Sequence, residues 1–321
     1  MLGKVLTIAG NAFRETVRQP VFCVVLAVGG ALIAVSPTLS MFTLMEGVKL
    51  VQDMGLSTIL LTGLLLAVLS ASNVVTEEIR GRTALMVVAR PVGRGEFVLG
   101  KFLGLVLAEF AAAYLLMIVL TLTVRVGVPE AVTSPIDMAA IVGEVAAVVG
   151  AVAVALGANY FFDKPFASAV VFAGLAFFSA VFFGLAFFDS NLRPVGFFSA
   201  MDGDTVRACL ALFPVLAVLT GAAVACATRL NLVTSVVICS LLFVAGILSE
   251  YLFGRFAATS LAARVPYTLL PSFQAFWLGD ALAGGKAIPW GYVGTAAGYG
   301  ALYSAALVFL GMMLFERREI A

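Results

Sequence analysis

The sequence contains no histidine, and only 12% of its 321 residues carry charge. Without histidine the chain can form neither a Ser-His-Asp triad nor a Cys-His nucleophile, and metal hydrolases that use histidine ligands are excluded as well. A soluble domain carries roughly 25% charged residues, so a soluble protein of this size would be unable to cover its surface. No long polar stretch interrupts the sequence. The sequence therefore predicts no sizeable soluble domain on either side of a membrane.

Cysteine is also scarce. The four cysteines all fall in or beside apolar runs and lack the paired spacing of a metal site: Cys23, Cys209, Cys226 and Cys239. This pattern is typical of small buried hydrophobic residues. The sequence therefore predicts a non-catalytic chain that holds no metal and no cofactor of its own.

Most of the sequence consists of apolar runs of about 20 residues, which predict an all-α, polytopic helical membrane protein. We expect six to eight spans, in runs at about 21–38, 57–75, 102–124, 138–162, 166–188, 206–228, 231–250 and 290–315. The short break at 229–231 leaves open whether the two runs beside it form one hairpin or a re-entrant pair. The aromatic connection 251–289 is expected to lie along the outer membrane interface.

The N-terminal residues do not form a span. At 100° per residue, the apolar side chains of 2–19 share one face and the cationic side chains share the opposite face. This pattern predicts an amphipathic helix at 1–19 that lies in the membrane interface and ends before Pro20. The spans of 20–75, a polar segment at 76–101 and the remaining spans with short loops in 102–321 complete the predicted organisation.

The distribution of Lys and Arg predicts the orientation. If the N-terminus is cytoplasmic, the inner segments hold 12 of the 19 Lys/Arg. This bias favours a multi-pass protein of the cell (plasma or inner) membrane with both termini in the cytoplasm. The segment 76–101 is then cytoplasmic too.

Two acids lie inside predicted spans, Glu109 in the third and Glu144 in the fourth. Such residues are functional candidates in membrane proteins. The favoured interpretation is that each one bonds to a neighbouring helix or reaches toward the interface, and the alternative is that they are polar points on a translocation path. At about 1.5 Å per residue, Glu109 lies about 12 Å from the inner end of its span and Glu144 about 9 Å from the outer end of its own. The two carboxyls are therefore not expected to meet.

Small residues follow one another along the fourth run at helical spacing: Gly143, Ala146, Ala147, Gly150, Ala153 and Gly157. Such a stripe lets another helix approach closely. The pattern predicts a helix–helix seam, either within the subunit or between subunits.

Residues 76–101 form the longest charged segment and lie between two apolar spans. Composition alone leaves open whether this segment docks on another protein or rests on lipid. Within it, 95–101 matches the first seven positions of a phosphate-binding loop motif, but Phe102 follows and offers no hydroxyl to Mg²⁺. A nucleotide site is therefore excluded here, and Gly100 and Gly104 are expected to be a close-packing step.

The run EEIRGRTALMVVARPVGRGEFVLGKFLG, directly after the second span, resembles the segment between the second and third spans of the permease subunits of type-2 ABC transporters. The resemblance extends in outline to the N-terminal amphipathic helix, to the late LLPSFQAFWLGDAL stretch and to the terminal LFERREIA. It implies a coupling helix that docks on a separate ATP-binding subunit. By position, the residues with this role are Glu77, Glu78, Gly81, Arg82, Thr83, Arg90, Pro91 and Arg94.

The resemblance also implies an assembly in the membrane lipid. The expected partners are an ATP-binding cassette ATPase, which would hold ATP and Mg²⁺, and a second permease subunit in a homodimer or heterodimer. No nucleic acid partner is expected. The family core has six spans, so a count of eight would be a departure between about 166 and 250.

Two other classes of function remain open at this stage. One is an ATP-independent secondary transporter or channel, for which internal repeats and charged sites at mid-membrane would be expected. The other is a membrane scaffold that recruits a cytoplasmic protein. The spans carry no motif that separates lipid, drug, peptide or polysaccharide as cargo.

Overall fold

The computed structural model describes residues 2–40, 47–76, 93–127, 136–257 and 261–316, which form helices and no β-strand. The α-helices are α1 (Leu2–Val17), α2 (Pro20–Ser40), α3 (Gly47–Ala71), α4 (Arg94–Val126), α5 (Met138–Phe162), α6 (Phe166–Leu185), α7 (Gly203–Ala227), α8 (Leu232–Ile247), α9 (Arg255–Ala257), α10 (Leu261–Leu269), α11 (Gly279–Ala283) and α12 (Trp290–Glu316). In the described ranges, seven helices are long and apolar enough to cross a membrane: α2 to α7 and α12. The prediction of an all-α polytopic membrane protein is confirmed.

Helices α3 and α4 begin earlier than their apolar runs. The start of α3 includes Gln52, whose amide donates to the side chains of Asp202 and Thr205, both at 2.9 Å. The start of α4 includes Lys101, which is buried and lies 3.2 Å from a carboxylate oxygen of Glu15. Because partners on other helices satisfy these polar groups, both helices continue through residues that hydropathy excludes from the spans. The last eight residues of the predicted polar segment 76–101 therefore belong to α4.

The predicted run 231–250 is the one that differs most from a simple span. Asn231 caps α8 by accepting the backbone N–H of Thr234 at 2.9 Å, but α8 has only 16 residues, fewer than the ~20 that cross a bilayer. Helical hydrogen bonds continue past α8, because the N–H of Leu248 donates to Val244 at 3.0 Å and the N–H of Leu252 donates to Leu248 at 2.8 Å. The run therefore continues as a distorted helix through the π-helical turn Glu250–Gly254 into α9, and the carbonyl of Gly246 also accepts the N–H of Phe273 at 3.0 Å.

The connection 251–289 packs along α12. The Tyr303 hydroxyl donates to the carbonyl oxygens of Thr268 and Leu270, at 3.0 and 3.3 Å. The N–H of Ser272 donates to the hydroxyl of Tyr299 at 3.1 Å. Because Tyr303 lies about 20 Å along α12 from its first residue, part of this connection lies beside the middle of α12. The expected position along the outer membrane interface stays a prediction.

Hydrogen bonds define the two ends of the bundle. At one end, Arg94 donates to the carbonyl of Glu316 at 2.8 Å, and Arg229 donates to the carbonyl of Leu314 at 2.8 Å. Helix α1 packs at this end, which we call the α1 end. At the other end Arg125 closes α4, and we call it the Arg125 end. The described first and last helices therefore reach the same end of the bundle.

Helix α1 has the amphipathic character that the sequence predicts, with a buried face that includes Val5, Ala9 and Ala12. This face contacts α4 at the two predicted glycines. A Cβ atom on Gly100 would lie 2.7 Å from the side chain of Ile8, and a Cβ on Gly104 would lie 2.7 Å from Cβ of Ala12. The close-packing step is confirmed, and its partner is α1.

The small-residue stripe of α5 is a seam within the subunit. A Cβ atom on Gly143 would lie 2.7 Å from Val181 of α6, and one on Gly150 would lie 2.9 Å from Phe177 of the same helix. Nothing lies within 4 Å of such an atom on Gly157. The predicted seam therefore joins α5 to α6 over most of its length and makes these two helices a hairpin at the side of the bundle.

Candidate functional site

The predicted coupling segment lies mostly outside the described residues. This holds for seven of its eight predicted contact residues: Glu77, Glu78, Gly81, Arg82, Thr83, Arg90 and Pro91. The eighth, Arg94, is the first residue of α4. The described structure therefore defines how the two ends of this segment join the bundle.

The exit of the segment is tied to the last helix. Glu96 accepts the backbone N–H of Gly93 at 3.0 Å, which satisfies one of the free donors before the first turn of α4. Arg94 then donates to the carbonyl of Glu316 on α12. A displacement of this exit consequently acts on α4 and on the end of α12 together.

The entry of the segment is tied to the junction of α1 and α2. Helix α3 ends in a π-helical turn, Ser72–Thr76. The amide of Asn73 in this turn donates to the side-chain oxygen of Gln19 at 3.3 Å. Single-turn π-helical distortions are frequent at functional positions of helices.

A buried ion pair joins α1 to α4 close to the exit. The ammonium of Lys101 is 4% exposed and the carboxylate of Glu15 is 42% exposed, with 3.2 Å between them. The half-exposed carboxylate keeps water as a further partner, so the desolvation that makes buried ion pairs costly falls mainly on the lysine. Together with the contact at Gly104, this pair makes α1 and the first turns of α4 one packed unit.

Glu109 is fully buried in the interior of the bundle. A Cβ atom on Gly63 of α3 would lie 2.9 Å from Oε1 of Glu109, so the carboxyl packs directly on the α3 backbone. This oxygen has no hydrogen-bond partner among the described residues. The favoured interpretation that Glu109 bonds to a neighbouring helix therefore finds no support at this oxygen.

Glu144 lies elsewhere, on the wall of a cavity. Its Oε1 accepts the hydroxyl of Thr123 on α4 at 3.2 Å. The cavity has a volume of about 460 Å³ and lies between α2, α4, α5 and α6, with a lining that is otherwise apolar. Of the two predicted acids, the structure therefore brings only Glu144 to a space where a ligand could bind.

The two carboxyls are far apart, as the sequence predicts. Glu144 contacts Thr123, which is 14 residues after Glu109 on the same helix. This separation corresponds to about 21 Å along α4. A paired-carboxyl site is thus excluded for these residues.

Sequence reasoning missed the polar junction at the Arg125 end. The Arg125 side chain donates to a carboxylate oxygen of Asp137 at 2.8 Å, and both side chains are about 95% buried. The same guanidinium donates to the carbonyls of Leu185 and Phe188, at 2.6 and 2.8 Å. One residue thus fastens both the start of α5 and the end of α6 to α4. The sequence signal that could have predicted this junction is a pair of opposite charges, Arg125 and Asp137, on the two sides of one short loop.

In comparisons with known proteins, no protein-family model matches the chain, and no curated protein sequence matches it either. The described residues also contain no group of three or more acids and cysteines that could hold a metal ion.

Proposed function

We propose that this chain is the membrane-spanning permease subunit of an ATP-binding-cassette transporter that works as an exporter. The observation that carries the proposal is the Glu-Glu…Arg-Pro-Val…Gly-Lys run and its place in the chain. Its first 16 residues, 77–92, connect the π-helical turn after α3 to α4 at the α1 end. In this proposal 77–92 docks on a separate ATPase, and the α1 end faces the cytoplasm.

The described contacts support a route from such a docking site into the spans. The exit of the connection bonds to α12 through Arg94, and its entry bonds to the α1–α2 junction through Asn73. Helix α4 has 33 residues and is therefore about 50 Å long. It reaches from the docking end, past the cavity wall at Leu115, Leu116 and Val119, to Arg125. A displaced α4 would carry this wall with it, so that rigid helices relay the motion to the cavity.

The chain itself supplies no chemistry in this mechanism. ATP and Mg²⁺ would bind to the ATPase partner, and a second permease subunit would complete the transport unit. The contribution of this chain is to hold the docking segment, to relay its motion and to present the cavity to the bilayer.

Charge reversal in the docking segment tests the proposal. The double change Glu77→Arg/Glu78→Arg should lower the vanadate-sensitive ATPase activity that co-purifies from host membranes by at least about tenfold, equivalent to about 1.4 kcal/mol of binding. The matched control is Glu250→Arg, which reverses an exposed carboxylate on the π-helical turn after α8. This control should keep full ATPase activity.

One observation favours a second candidate, ATP-independent transport. Glu109 is a buried acid with an unpaired oxygen among the described residues, and such acids mark ion or proton pathways in transporters. The two functions separate in one measurement. If the purified chain carries no ATPase activity and still transports in vesicles that contain no ATP, the ABC proposal is wrong.

A further inference from the structure

The cavity between α2, α4, α5 and α6 is open toward the bilayer. Its wall on α5 includes Val145, Val148 and Val149, which are 57%, 50% and 61% exposed. Its wall on α2 includes Ala27, Ala31 and Ala34, which are exposed as well. Since both rims consist of small or medium apolar side chains, a molecule dissolved in the membrane could enter sideways without crossing a polar barrier.

The shape of the cavity suits an extended apolar chain. On α2 the lining runs from Cys23 to Ala34, which is about 16 Å along the helix axis. The volume of 460 Å³ falls within the roughly 300–1,000 Å³ of small-molecule pockets.

The charge in the cavity lies near one end. Among the described lining residues Glu144 is the only acid, and none is a lysine or arginine. Glu144 is the seventh residue of α5, about 9 Å from the Arg125 end. Thr123 holds its Oε1 in place. A lone carboxylate in an apolar space is costly, and a cation that pairs with it removes much of this cost.

We propose that this cavity binds a single-chain cationic amphiphile, with its ammonium group beside Glu144 and its hydrocarbon chain directed toward Cys23. A phospholipid fits the same space less well, because no described cationic side chain of the lining could pair with its phosphate. Transport of the amphiphile across the membrane rests on the proposed transport function. Binding of the amphiphile in the cavity is independent of that function.

The test is photolabelling of the purified full-length chain in phosphatidylglycerol nanodiscs, whose lipid carries no ammonium group. The probe is dodecyltrimethylammonium with a diazirine in its chain, and the matched probes are the anionic sulfate and the neutral maltoside with the same chain. We expect the cationic probe to label peptides of α2 and α5, with unlabelled cation as a competitor. Equal labelling by the neutral probe, or no labelling of these peptides, would overturn the proposal.

Two pairs of variants sharpen the result. Glu144→Gln should lower labelling by the cation about tenfold or more, because it removes the charge partner, while Glu250→Gln should leave labelling unchanged. Ala31→Phe should block the cavity, while Val28→Phe, which adds the same ring to an exposed α2 residue outside the lining, should not. The alanine and valine pair keeps the test valid if Glu144→Gln fails to fold.

A further arm separates the amphiphile from a membrane lipid. Nanodiscs that contain phosphatidylethanolamine offer an ammonium group on a phospholipid. If this lipid displaces the probe and Glu144→Gln abolishes the displacement, the ligand is a lipid headgroup and the proposal is wrong. The assay contains no ATPase, so failed labelling leaves the ABC proposal untouched, and failed ATPase coupling leaves the binding site untouched.

Discussion

Helices α5 and α7 are equally apolar but have opposite surroundings. The membrane-spanning part of α7 is 83% buried, whereas that of α5 is 22% buried, at the same mean hydropathy. Helix α7 is held on several sides, by α3, α4, α8 and α12. Helix α5 packs mainly on α6 through its glycines and turns its valines outward. Hydropathy thus indicates that a helix belongs in the membrane. It does not indicate whether the helix faces lipid or other helices.

The strongest test of this contrast removes the residue that fastens the peripheral helices α5 and α6 to α4. Arg125→Ala should destabilise the protein by about 3–5 kcal/mol, because it leaves the buried carboxylate of Asp137 without its partner. The measurement is the free energy of unfolding in a detergent titration with SDS. The double variant Arg125→Met/Asp137→Asn, which removes the charge pair and keeps an Oδ1 acceptor for the N–H groups of Ala139 and Ala140, should recover part of the loss. Equal destabilisation by the single and double variants would mean that the junction does not depend on the charge pair.

A smaller effect is expected from closing the space between α1 and α4. Gly104→Ala should cost about 1–3 kcal/mol, because the new methyl group overlaps Ala12 and the α1 backbone. Gly157→Ala, in the exposed hairpin, meets nothing within 4 Å and is the matched control. Unfolding can be followed by the reaction of the buried thiols Cys209 and Cys239 with a fluorescent maleimide on heating. An unchanged transition for Gly104→Ala would show that α1 is not packed tightly on α4.

The smallest change in stability is expected from a valine-to-alanine substitution, made once in α7 and once in α5. Val218→Ala in α7 should cost about 1–2 kcal/mol, because a fully buried side chain loses its packing contacts. Val154→Ala in α5, where the side chain is 50% exposed, should stay within about 0.5 kcal/mol of the original protein. Similar losses for both variants in the SDS titration would contradict the assignment of α5 to the periphery.

The sequence was sufficient for the kind of fold and for most helix positions, because long apolar runs have few structural solutions in a membrane. It was insufficient where polar residues find partners on distant helices. Gln52 and Lys101 lie inside helices because of Asp202 and Glu15, which are far from them in sequence. The backbone groups of Thr268, Leu270 and Ser272 likewise depend on tyrosine partners in α12.

The candidate site could be predicted only in part, for the same reason. The glycine stripe of α5 predicted a seam but left its partner open, and Glu109 and Glu144 were equivalent in the sequence. The packing of α5 on α6 and the gap beside α2 decide that Glu144 lines a cavity while Glu109 does not. A single sequence carries no direct signal of such a gap, which exists between four helices.

The tyrosines of α12 have a consequence for the biosynthesis of the protein. The non-helical backbone after α10 lies beside α12, a helix long and apolar enough to span a membrane, and peptide groups in a bilayer need protein partners because lipid offers none. Tyr303, Tyr299 and Tyr292 on α12 supply them, the last through its hydroxyl bond to the carbonyl of Ala275. Because α12 leaves the ribosome after this stretch, these peptide groups lack their tyrosine partners until α12 has been made. Integration of this part of the protein into the bilayer is therefore completed by its last described helix.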